Sequence, residues 1–395
     1  MSVRSYLVSL KQALNQRVLK TPYRIVTGNQ SADMDSVVSA ITFAYLTYSL
    51  KTPDQFIIPL IDIPKTDFAL RRDINMLLQN HGISEDLLYF VEDFSEFLDE
   101  STSVHLSLVD HNGLQGVEIN KGFDAGLINV EAIIDHHADE GMFENADPRI
   151  IRTCGSNSTL VFHYFHDLTS CDEKFWKSNK DVIELLIAPL LIDTTNMTQK
   201  VEDPDVKAMD FYKTILADNT VNFTTQSSYD NFYKTLKTAK KDISGFSFAD
   251  ILRKDYKQFK FLHEDRVGFS SISKPLSWIA SKYSVDDIKE DLANTLKMNQ
   301  IELLVITASF TQKETGIYTR EFCYYYQGQN EKYAELYKLV WQQLELSTDL
   351  YKIEIISSLT NAVNDRESHL KIYNQKRVTA TRKQVVPVVK EVLER

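Results

Sequence analysis

Short apolar runs alternate with segments of helical spacing over the first half of the chain. The runs that predict strands are residues 24–27, 56–61, 88–91, 105–109, 132–134 and 188–192. Such alternation of strands and helices is typical of a doubly wound, mainly parallel sheet covered by helices on both faces. We therefore predict an α/β fold for this part of the chain.

The N-terminal segment, residues 2–20, has apolar residues at helical spacing and predicts an amphipathic helix. No acidic residue precedes Asp33. A basic, acid-free start is also typical of a mitochondrial transit peptide. Because the segment is short and runs directly into the first strand, we favour a packing helix and a cytoplasmic protein, with the mitochondrial matrix as the alternative location.

A second domain is predicted after a polar stretch at residues 203–241, which contains a loop-like segment at 219–228. We place the boundary near residues 238–246, so that the domains are residues 1–240 and 246–395. The second domain has predicted strands at 267–272, 302–309, 318–326 and 352–356, and predicted helices at 284–298, 330–346 and 382–394. These elements predict a smaller α/β or α+β domain.

Composition narrows the class of protein. With 43% hydrophobic residues, 12 Gly and 9 Pro in 395 residues, the chain is globular rather than fibrous or disordered. Three scattered cysteines indicate neither a disulfide framework nor a cysteine-rich zinc cluster. No uninterrupted apolar run reaches the length of a membrane span, so no membrane partner is expected.

The charge balance is acidic, with 55 Asp and Glu against 44 Lys and Arg and a net charge of −11. This charge provides no general attraction to nucleic acids or anionic membranes. A polyanionic ligand would therefore need bound cations or a local basic patch.

Aspartates follow four of the predicted strands. They are Asp33 and Asp35, Asp110, Asp135 and Asp193, with His136 and His137 directly after Asp135. Because the carboxyl ends of parallel strands share one edge of a sheet, we expect these side chains to converge. Neighbouring carboxylates raise one another's pKa, and divalent cations relieve that repulsion. Asp110 is the candidate to bridge two ions.

Six motifs carry a family resemblance. Asp33-x-Asp35, Asp110-His111-Asn112, Asp135-His136-His137 and Asp193 resemble the ordered motifs of the DHH phosphoesterase superfamily. Segments 255–259 and 381–387 resemble its DHHA2 branch, which contains manganese-type pyrophosphatases, prune proteins and fungal exopolyphosphatases. Segments 29–35, 61–64 and 70–73 are most similar to the fungal cytosolic exopolyphosphatases.

The resemblance implies a DHH metal-binding catalytic domain over residues 1–240, a DHHA2 substrate-binding domain over 246–395, and an active site in the cleft between them. It implies two divalent ions held by Asp33, Asp35, Asp110, His136 and Asp193. His137 is the candidate general acid, and Asp110 is catalytic through its bridging position.

One departure from the resemblance concerns the metal. Where the related pyrophosphatases begin the first motif with a histidine, this chain has Asn29. Oxygen ligands favour Mg²⁺ and nitrogen ligands favour softer metals, so we expect Mg²⁺, with Mn²⁺ or Co²⁺ as alternatives. Whether Asn29 is itself a ligand stays open.

Substrate binding is predicted for a set of basic and polar residues, namely Lys257, Arg382, Lys383, Arg71, Arg72, Arg149, Ser156 and His111. Guanidinium groups can bind phosphate through two hydrogen bonds, and a helix N-terminus at 155–159 can offer backbone N–H groups. The alternatives are surface salt bridges for the arginines, a helix cap for Ser156, a solvated face for the C-terminal cations, and orientation of a metal ligand for His111.

The activity implied is that of an exopolyphosphatase, which hydrolyses terminal phosphoanhydride bonds of inorganic polyphosphate and releases orthophosphate. A pyrophosphatase, a prune-like hydrolase of short polyphosphates or nucleotides, and a non-catalytic polyphosphate sensor are the alternatives. The chain has no P-loop motif, no Gly-x-Gly-x-x-Gly and no Gly-Gly pair. Because the nuclease relatives carry a Gly-Gly-Gly-His motif, no nucleic-acid partner is expected. The resemblance suggests a monomer.

Overall fold

The computed structural model describes residues 1–19, 21–98, 103–217, 225–261 and 266–394. The chain divides into two compact units, Met1–Asp242 and Ile243–Arg395. Each unit contains a six-stranded sheet among its described residues, and the predicted α/β class is confirmed. Most of the loop predicted at 219–228 lies outside the described residues.

The sheet of the first unit is parallel throughout. Its strands are β1 Arg24–Thr27, β2 Ile57–Ile61, β3 Tyr89–Phe90, β4 Val104–Val109, β5 Ile128–Asp135 and β6 Arg149–Ile151. The inner strands are almost wholly buried because helices cover both faces of a parallel sheet.

Helices connect these strands and pack on both faces. They are α1 Val3–Asn15, α2 Met34–Leu50, α3 Lys65–Phe68, α4 Arg72–Asn80, α5 Val117–Asp124, α6 Asn157–Leu168, α7 Glu173–Ser178, α8 Lys180–Asp193, α9 Asp203–Leu216 and α10 Gln226–Lys241. Two 3₁₀ helices, Glu85–Leu87 and Val91–Phe97, flank β3.

The strand order β3-β2-β1-β4-β5-β6 reverses direction between β1 and β4. From β1 the chain first builds outward to β3, and it then returns to place β4 on the other side of β1. Thr27 is in register with Leu108, so the two strands end together. In open α/β sheets, ligands bind outside the carboxyl ends of the strands at this reversal.

The strand predicted at residues 188–192 is wrong, because this segment belongs to helix α8. Helix α8 contacts α2, α6, α9 and α10, and its apolar residues are buried on every side. A helix enclosed in this way has no polar face and therefore no amphipathic pattern. Pro189 lies inside this helix.

The predicted N-terminal helix forms as α1 but ends at Asn15, and Val18 beyond it is exposed. Tyr6, Leu7 and Leu10 are fully buried, which accounts for the apolar spacing. None of the described helices combines the length and apolar composition that a membrane crossing requires.

The second unit has a mixed sheet in the order β11-β12-β10-β9-β8-β7. Its strands are β7 Tyr256–Lys260, β8 Arg266–Ile272, β9 Leu303–Thr311, β10 Tyr318–Gln327, β11 Leu346–Ser347 and β12 Ser368–Gln375. Among the described strands of this second sheet, β8 and β9 pair in parallel and the other neighbours pair antiparallel.

Helices pack on both faces of this sheet, which separates two buried apolar clusters. They are α11 Phe248–Lys254, α12 Leu276–Lys282, α13 Val285–Asn299, α14 Glu331–Ala334, α15 Leu336–Leu344, α16 Glu354–Val363 and α17 Arg382–Leu393, with a 3₁₀ helix at Asp349–Lys352.

The strand predicted at residues 352–356 is also wrong. This segment joins the 3₁₀ helix to α16, whose buried residues Ile356, Leu359 and Val363 continue at helical spacing. The apolar run was too short to distinguish a strand from the first turn of a helix. Strand β12 was not predicted, because Lys, Asn and Gln interrupt its apolar positions.

Candidate metal centre

The loop after β1 brings two aspartates to the sheet edge. Its first residue, Gly28, lies so close to α2 that an added Cβ would be 2.5 Å from the Ser36 Cβ. The side chain of Asp33 caps α2 by accepting a hydrogen bond from the Ser36 amide at 3.2 Å. Asp35 lies in the first turn of α2 and is buried.

Asp110 follows β4 directly and has a left-handed backbone with φ of 63°. Its Oδ2 accepts hydrogen bonds from the Ser36 hydroxyl at 2.5 Å and the Asn29 side-chain amide at 2.6 Å. The Oδ1 of Asn29 in turn accepts a bond from the Ser31 amide at 2.9 Å. Both ends of the Asn29 side chain are therefore used to hold Asp110 and its neighbouring loop.

His136 follows β5 and turns toward the two buried aspartates. Its Nε2 is 3.2 Å from Oδ1 of Asp110 and 4.0 Å from Oδ2 of Asp35. Its Nδ1 is 3.1 Å from the carbonyl oxygen of Cys154, which fixes the orientation of the ring. Burial opposes the charged ring, but the hydrogen bond to Asp110 raises the pKa of His136 to about 12.

His137 is held by Asp135. The Nδ1 of His137 is 2.8 Å from Oδ1 of Asp135, and the Asn112 amide donates to Oδ2 of Asp135 at 2.5 Å. Although burial opposes it, the hydrogen bond with His137 lowers the pKa of Asp135 to about 2. Asp135 is therefore an ionised partner that directs the Nε2 of His137 away from itself.

Asp35 also caps helix α6. Its carboxylate accepts hydrogen bonds from the Ser156 hydroxyl at 2.7 Å and from the backbone amides of Asn157 and Ser158 at 2.5 and 2.8 Å. Burial, followed by the charge of Asp110, nevertheless raises the pKa of Asp35 to about 7. The α6 amides that could receive an anion thus already bind a carboxylate of the protein.

Asp193 ends helix α8 rather than a strand, but it belongs to the same group. Burial and then the charge of Asp35 raise its pKa well above the ordinary value, with Asp33 and Asp110 acting in the same direction. The tertiary fold therefore brings all five predicted ligands into one electrostatic neighbourhood.

The arrangement fits a divalent metal. Ligand atoms of Asp110, His136 and His137 lie within 4.8 Å of one another. Carboxylate oxygens and an imidazole nitrogen are a normal donor set for such ions. A divalent cation would also remove the repulsion that raises the pKa of Asp35 and Asp193.

The other predicted residues of the first unit have protein partners. Buried Arg71 donates to the Ser31 carbonyl oxygen, and Arg72 pairs with Asp242. Arg149 makes two bonds to Asp139, at 2.5 and 2.9 Å. The Nδ1 of buried His111 is 2.9 Å from the Val109 carbonyl oxygen.

The predicted cations of the second unit differ in their surroundings. Arg382 begins α17 and donates to the backbone and side-chain oxygens of Asp255 at 2.9 and 2.7 Å. Lys383 is exposed, and Lys257 lies on β7 with its side chain half-buried.

Sequence reasoning missed Ser36 and Asp205 of the centre, and it named Asn112 only as part of a motif, without a role. Buried Asp205 accepts hydrogen bonds from the amides of Gly155 and Glu202 and from the Thr159 hydroxyl. Its only sequence signal is the capping pattern with Glu202 at the start of α9. A hydrogen bond between a candidate ligand and a residue distant in sequence leaves no local pattern in the sequence.

The sequence matches two known domain families. Residues 24–190 match the DHH family, N-terminal domain, and residues 234–392 match the DHHA2 domain.

Three named relatives align with most of the chain. A Schizosaccharomyces pombe protein that is named as an exopolyphosphatase is 32% identical over 93% of this chain and 90% of its own length. The rat exopolyphosphatase PRUNE1 is 26% identical over 98% of this chain and 78% of its own. A manganese-dependent inorganic pyrophosphatase of Methanothrix thermoacetophila is 23% identical over 74% of this chain and 82% of its own.

Proposed function

Because this chain belongs to the DHH family of phosphoesterases and carries a DHHA2 domain, we propose that it is an exopolyphosphatase. Its reaction is hydrolysis of the terminal phosphoanhydride bond of inorganic polyphosphate, with release of orthophosphate. The observation that carries the proposal is the approach of His136 to Asp110 and Asp35 at the strand-order reversal, beside a histidine held by Asp135.

The metal content proposed is two Mg²⁺ ions, held by Asp33, Asp35, Asp110, His136 and Asp193. The hydrogen bonds of Asn29 to Asp110 and Ser31 support a role in holding Asp110 rather than in binding metal. Without the second imidazole of the pyrophosphatase pattern, the donor set consists mainly of oxygen, which Mg²⁺ prefers. Mn²⁺ and Co²⁺ are the alternatives that a metal panel would separate.

The chemistry divides between metal and side chains. Bound divalent ions would act as Lewis acids and lower the pKa of a coordinated water. His137 is proposed to protonate the leaving phosphate oxygen through Nε2, because Asp135 binds its Nδ1. Asp135 also stabilises the protonated ring, as an ionised carboxylate partner does in catalytic triads.

Cations are proposed to bind the phosphate chain. Lys257, Arg382 and Lys383 of the second unit, together with the arginines of the first, are the candidates. Asp255 holds the Arg382 guanidinium in one orientation. A cation held in this way loses less side-chain entropy when it binds an anion. Arg149 is held in a similar way by Asp139.

The test is phosphate release from long-chain polyphosphate in the presence of Mg²⁺. Asp110→Ala is expected to lower the rate by several orders of magnitude, since it removes the carboxylate closest to His136. Activity within about tenfold of the unaltered protein would contradict a central role for Asp110. Asp139→Ala is the matched control, because Asp139 lies after β5 at the same sheet edge and, within the described part of the chain, bonds to Arg149 and the Gly141 amide.

The alternative is a prune-like hydrolase of short polyphosphates, which the match to PRUNE1 over 98% of this chain supports. Rates on pyrophosphate, tripolyphosphate and long chains would separate these activities. A rate highest on long chains supports the exopolyphosphatase. A rate highest on pyrophosphate or tripolyphosphate would contradict the exopolyphosphatase and support the prune-like hydrolase.

A further inference from the structure

A second group of metal-ligating side chains lies at the end of helix α6. It consists of His166, Asp167 and Cys171, whose ligand atoms all lie within 4.8 Å of one another. We propose that this group binds one thiophilic divalent cation, of which Zn²⁺ is the physiological example. This site is separate from the candidate metal centre, because α6 begins at Asn157, whose amide donates to Asp35, and its 12 residues extend about 18 Å toward the other end.

The turn after α6 brings the cysteine back over the helix. Ser170 and Cys171 both have left-handed backbones, with φ of 51° and 62°. The amide of Cys171 donates to the carbonyl oxygen of His166 at 3.0 Å, the long-range bond of a helix-ending Schellman turn. In this turn the residue after the reversal packs against the last helical turn. The local backbone therefore fixes the thiol beside the imidazole.

The imidazole of His166 is held in place by aromatic packing. Its ring centroid is 5.0 Å from that of Phe162 and 4.6 Å from that of Phe211. The Nε2 is buried and makes no hydrogen bond within the described residues, whereas Nδ1 faces Cys171 and Asp167. Burial, and then nearby His163, lowers the pKa of His166.

The distance between the sulfur and the nitrogen of this group matches tetrahedral coordination. The Sγ of Cys171 is 3.5 Å from Nδ1 of His166, and Oδ1 of Asp167 is 3.9 Å from the same atom. Bond lengths of about 2.3 Å to sulfur and about 2.0 Å to nitrogen place two tetrahedral ligands about 3.5 Å apart. The Asp167 side chain is 82% exposed, so it can close its longer distance. A water molecule would complete the shell.

Sulfur makes this group selective. Mg²⁺ prefers oxygen ligands and does not compete for a thiolate, whereas Zn²⁺ and Co²⁺ bind sulfur, nitrogen and oxygen together. Cys171 is the exposed cysteine of the chain, while Cys154 and Cys323 are buried. A thiolate signal that depends on Cys171, and not on Cys154 beside His136, therefore reports on this group and not on the candidate metal centre.

The experiment is a Co²⁺ titration of the full chain in excess Mg²⁺. We expect a near-ultraviolet thiolate-to-Co²⁺ charge-transfer band that saturates at one equivalent. The band should be lost in Cys171→Ser and kept in Cys154→Ser. In His166→Gln, Co²⁺ and Zn²⁺ should bind at least about tenfold more weakly. Zn²⁺ should also slow modification of Cys171 by a thiol reagent, and Mg²⁺ should not.

Several results would overturn the proposal. They are the absence of the band in the unaltered protein, its survival in Cys171→Ser, its loss in Cys154→Ser, or unchanged affinity in a folded His166→Gln variant. Because Cys171 is exposed, Cys171→Ser is expected to fold and stays informative even if His166→Gln does not. None of these readouts uses phosphate release, so the outcome is independent of the proposed activity.

Discussion

The Nε2 of His136 lies 3.2 Å from Oδ1 of Asp110, although the two residues follow different strands. Strands β4 and β5 are parallel neighbours, and Val109 is in register with Ile134. The residues that follow the two strands therefore meet at the sheet edge. This pairing joins a buried carboxylate and an imidazole at the place where a divalent cation is expected.

Loss of His136 should weaken metal binding. We expect chelation to abolish hydrolysis in the unaltered protein and added Mg²⁺ to restore it. In His136→Ala, half-maximal activity should need at least about tenfold more Mg²⁺, because a ligand has been lost. The measurement is the rate as a function of Mg²⁺ concentration. An unchanged metal requirement would remove His136 from the ligand set.

Loss of His137 should act on the reaction rather than on the metal. His137→Gln removes the proposed proton donor, so kcat at saturating Mg²⁺ should fall about 10²- to 10⁴-fold. The Mg²⁺ requirement should stay near that of the unaltered protein, in contrast to His136→Ala. If the two variants instead shifted the Mg²⁺ requirement equally, His137 would be a ligand.

Asp205 should act as a positioning residue. Its carboxylate holds the Gly155 amide at 2.7 Å, and the preceding carbonyl oxygen, of Cys154, is 3.1 Å from His136 Nδ1. Asp205→Asn exchanges an acceptor for a donor and should cost about 1–3 kcal/mol of stability. It should also weaken Mg²⁺ binding about 10- to 100-fold.

The control for Asp205 is Asp203→Asn, an exposed change in the first turn of the same helix. Thermal unfolding and Mg²⁺ titration of both variants provide the comparison. A destabilised Asp205→Asn protein with normal Mg²⁺ affinity would reduce Asp205 to a structural cap.

Glu321 should make stability depend on pH. It is buried on β10, where it accepts a hydrogen bond from the Leu276 amide at 2.7 Å. Burial raises its pKa from 4.5 to about 7. Between pH 4.5 and about 7, Glu321 binds more protons in the folded protein than in the unfolded chain. The free energy of unfolding therefore falls as the pH rises through this range.

Glu321→Gln should remove this dependence of stability on pH. The variant should exceed the unaltered protein in stability at pH 8 by up to about 3 kcal/mol, and much less at pH 5. Thermal midpoints measured across this range provide the test. The exposed change Glu314→Gln is the control and should show no pH-dependent difference. If the thermal midpoint of Glu321→Gln differed from that of the unaltered protein by the same amount at every pH, the raised pKa would be contradicted.

The family and the position of most candidate ligands could be predicted because they depend on local sequence. Asp110 and His136 directly follow strands whose apolar runs are recognisable, and Asp33 and Asp35 lie in the loop and helix that follow another such strand. A parallel sheet aligns strand ends whatever its detailed packing. Two strand assignments failed for the opposite reason: α8 is enclosed by other helices, and residues 352–356 form too short a run.

The sequence by itself determined the α/β class, the order of the acidic motifs and their convergence, since these follow from apolar periodicity and chain order. Only the tertiary structure decided that Asn29 holds Asp110, that Asp35 caps α6, and that Cys171 lies beside His166. The first two are hydrogen bonds between residues distant in sequence, and the third depends on a backbone reversal after a helix; neither kind of contact leaves a periodic pattern.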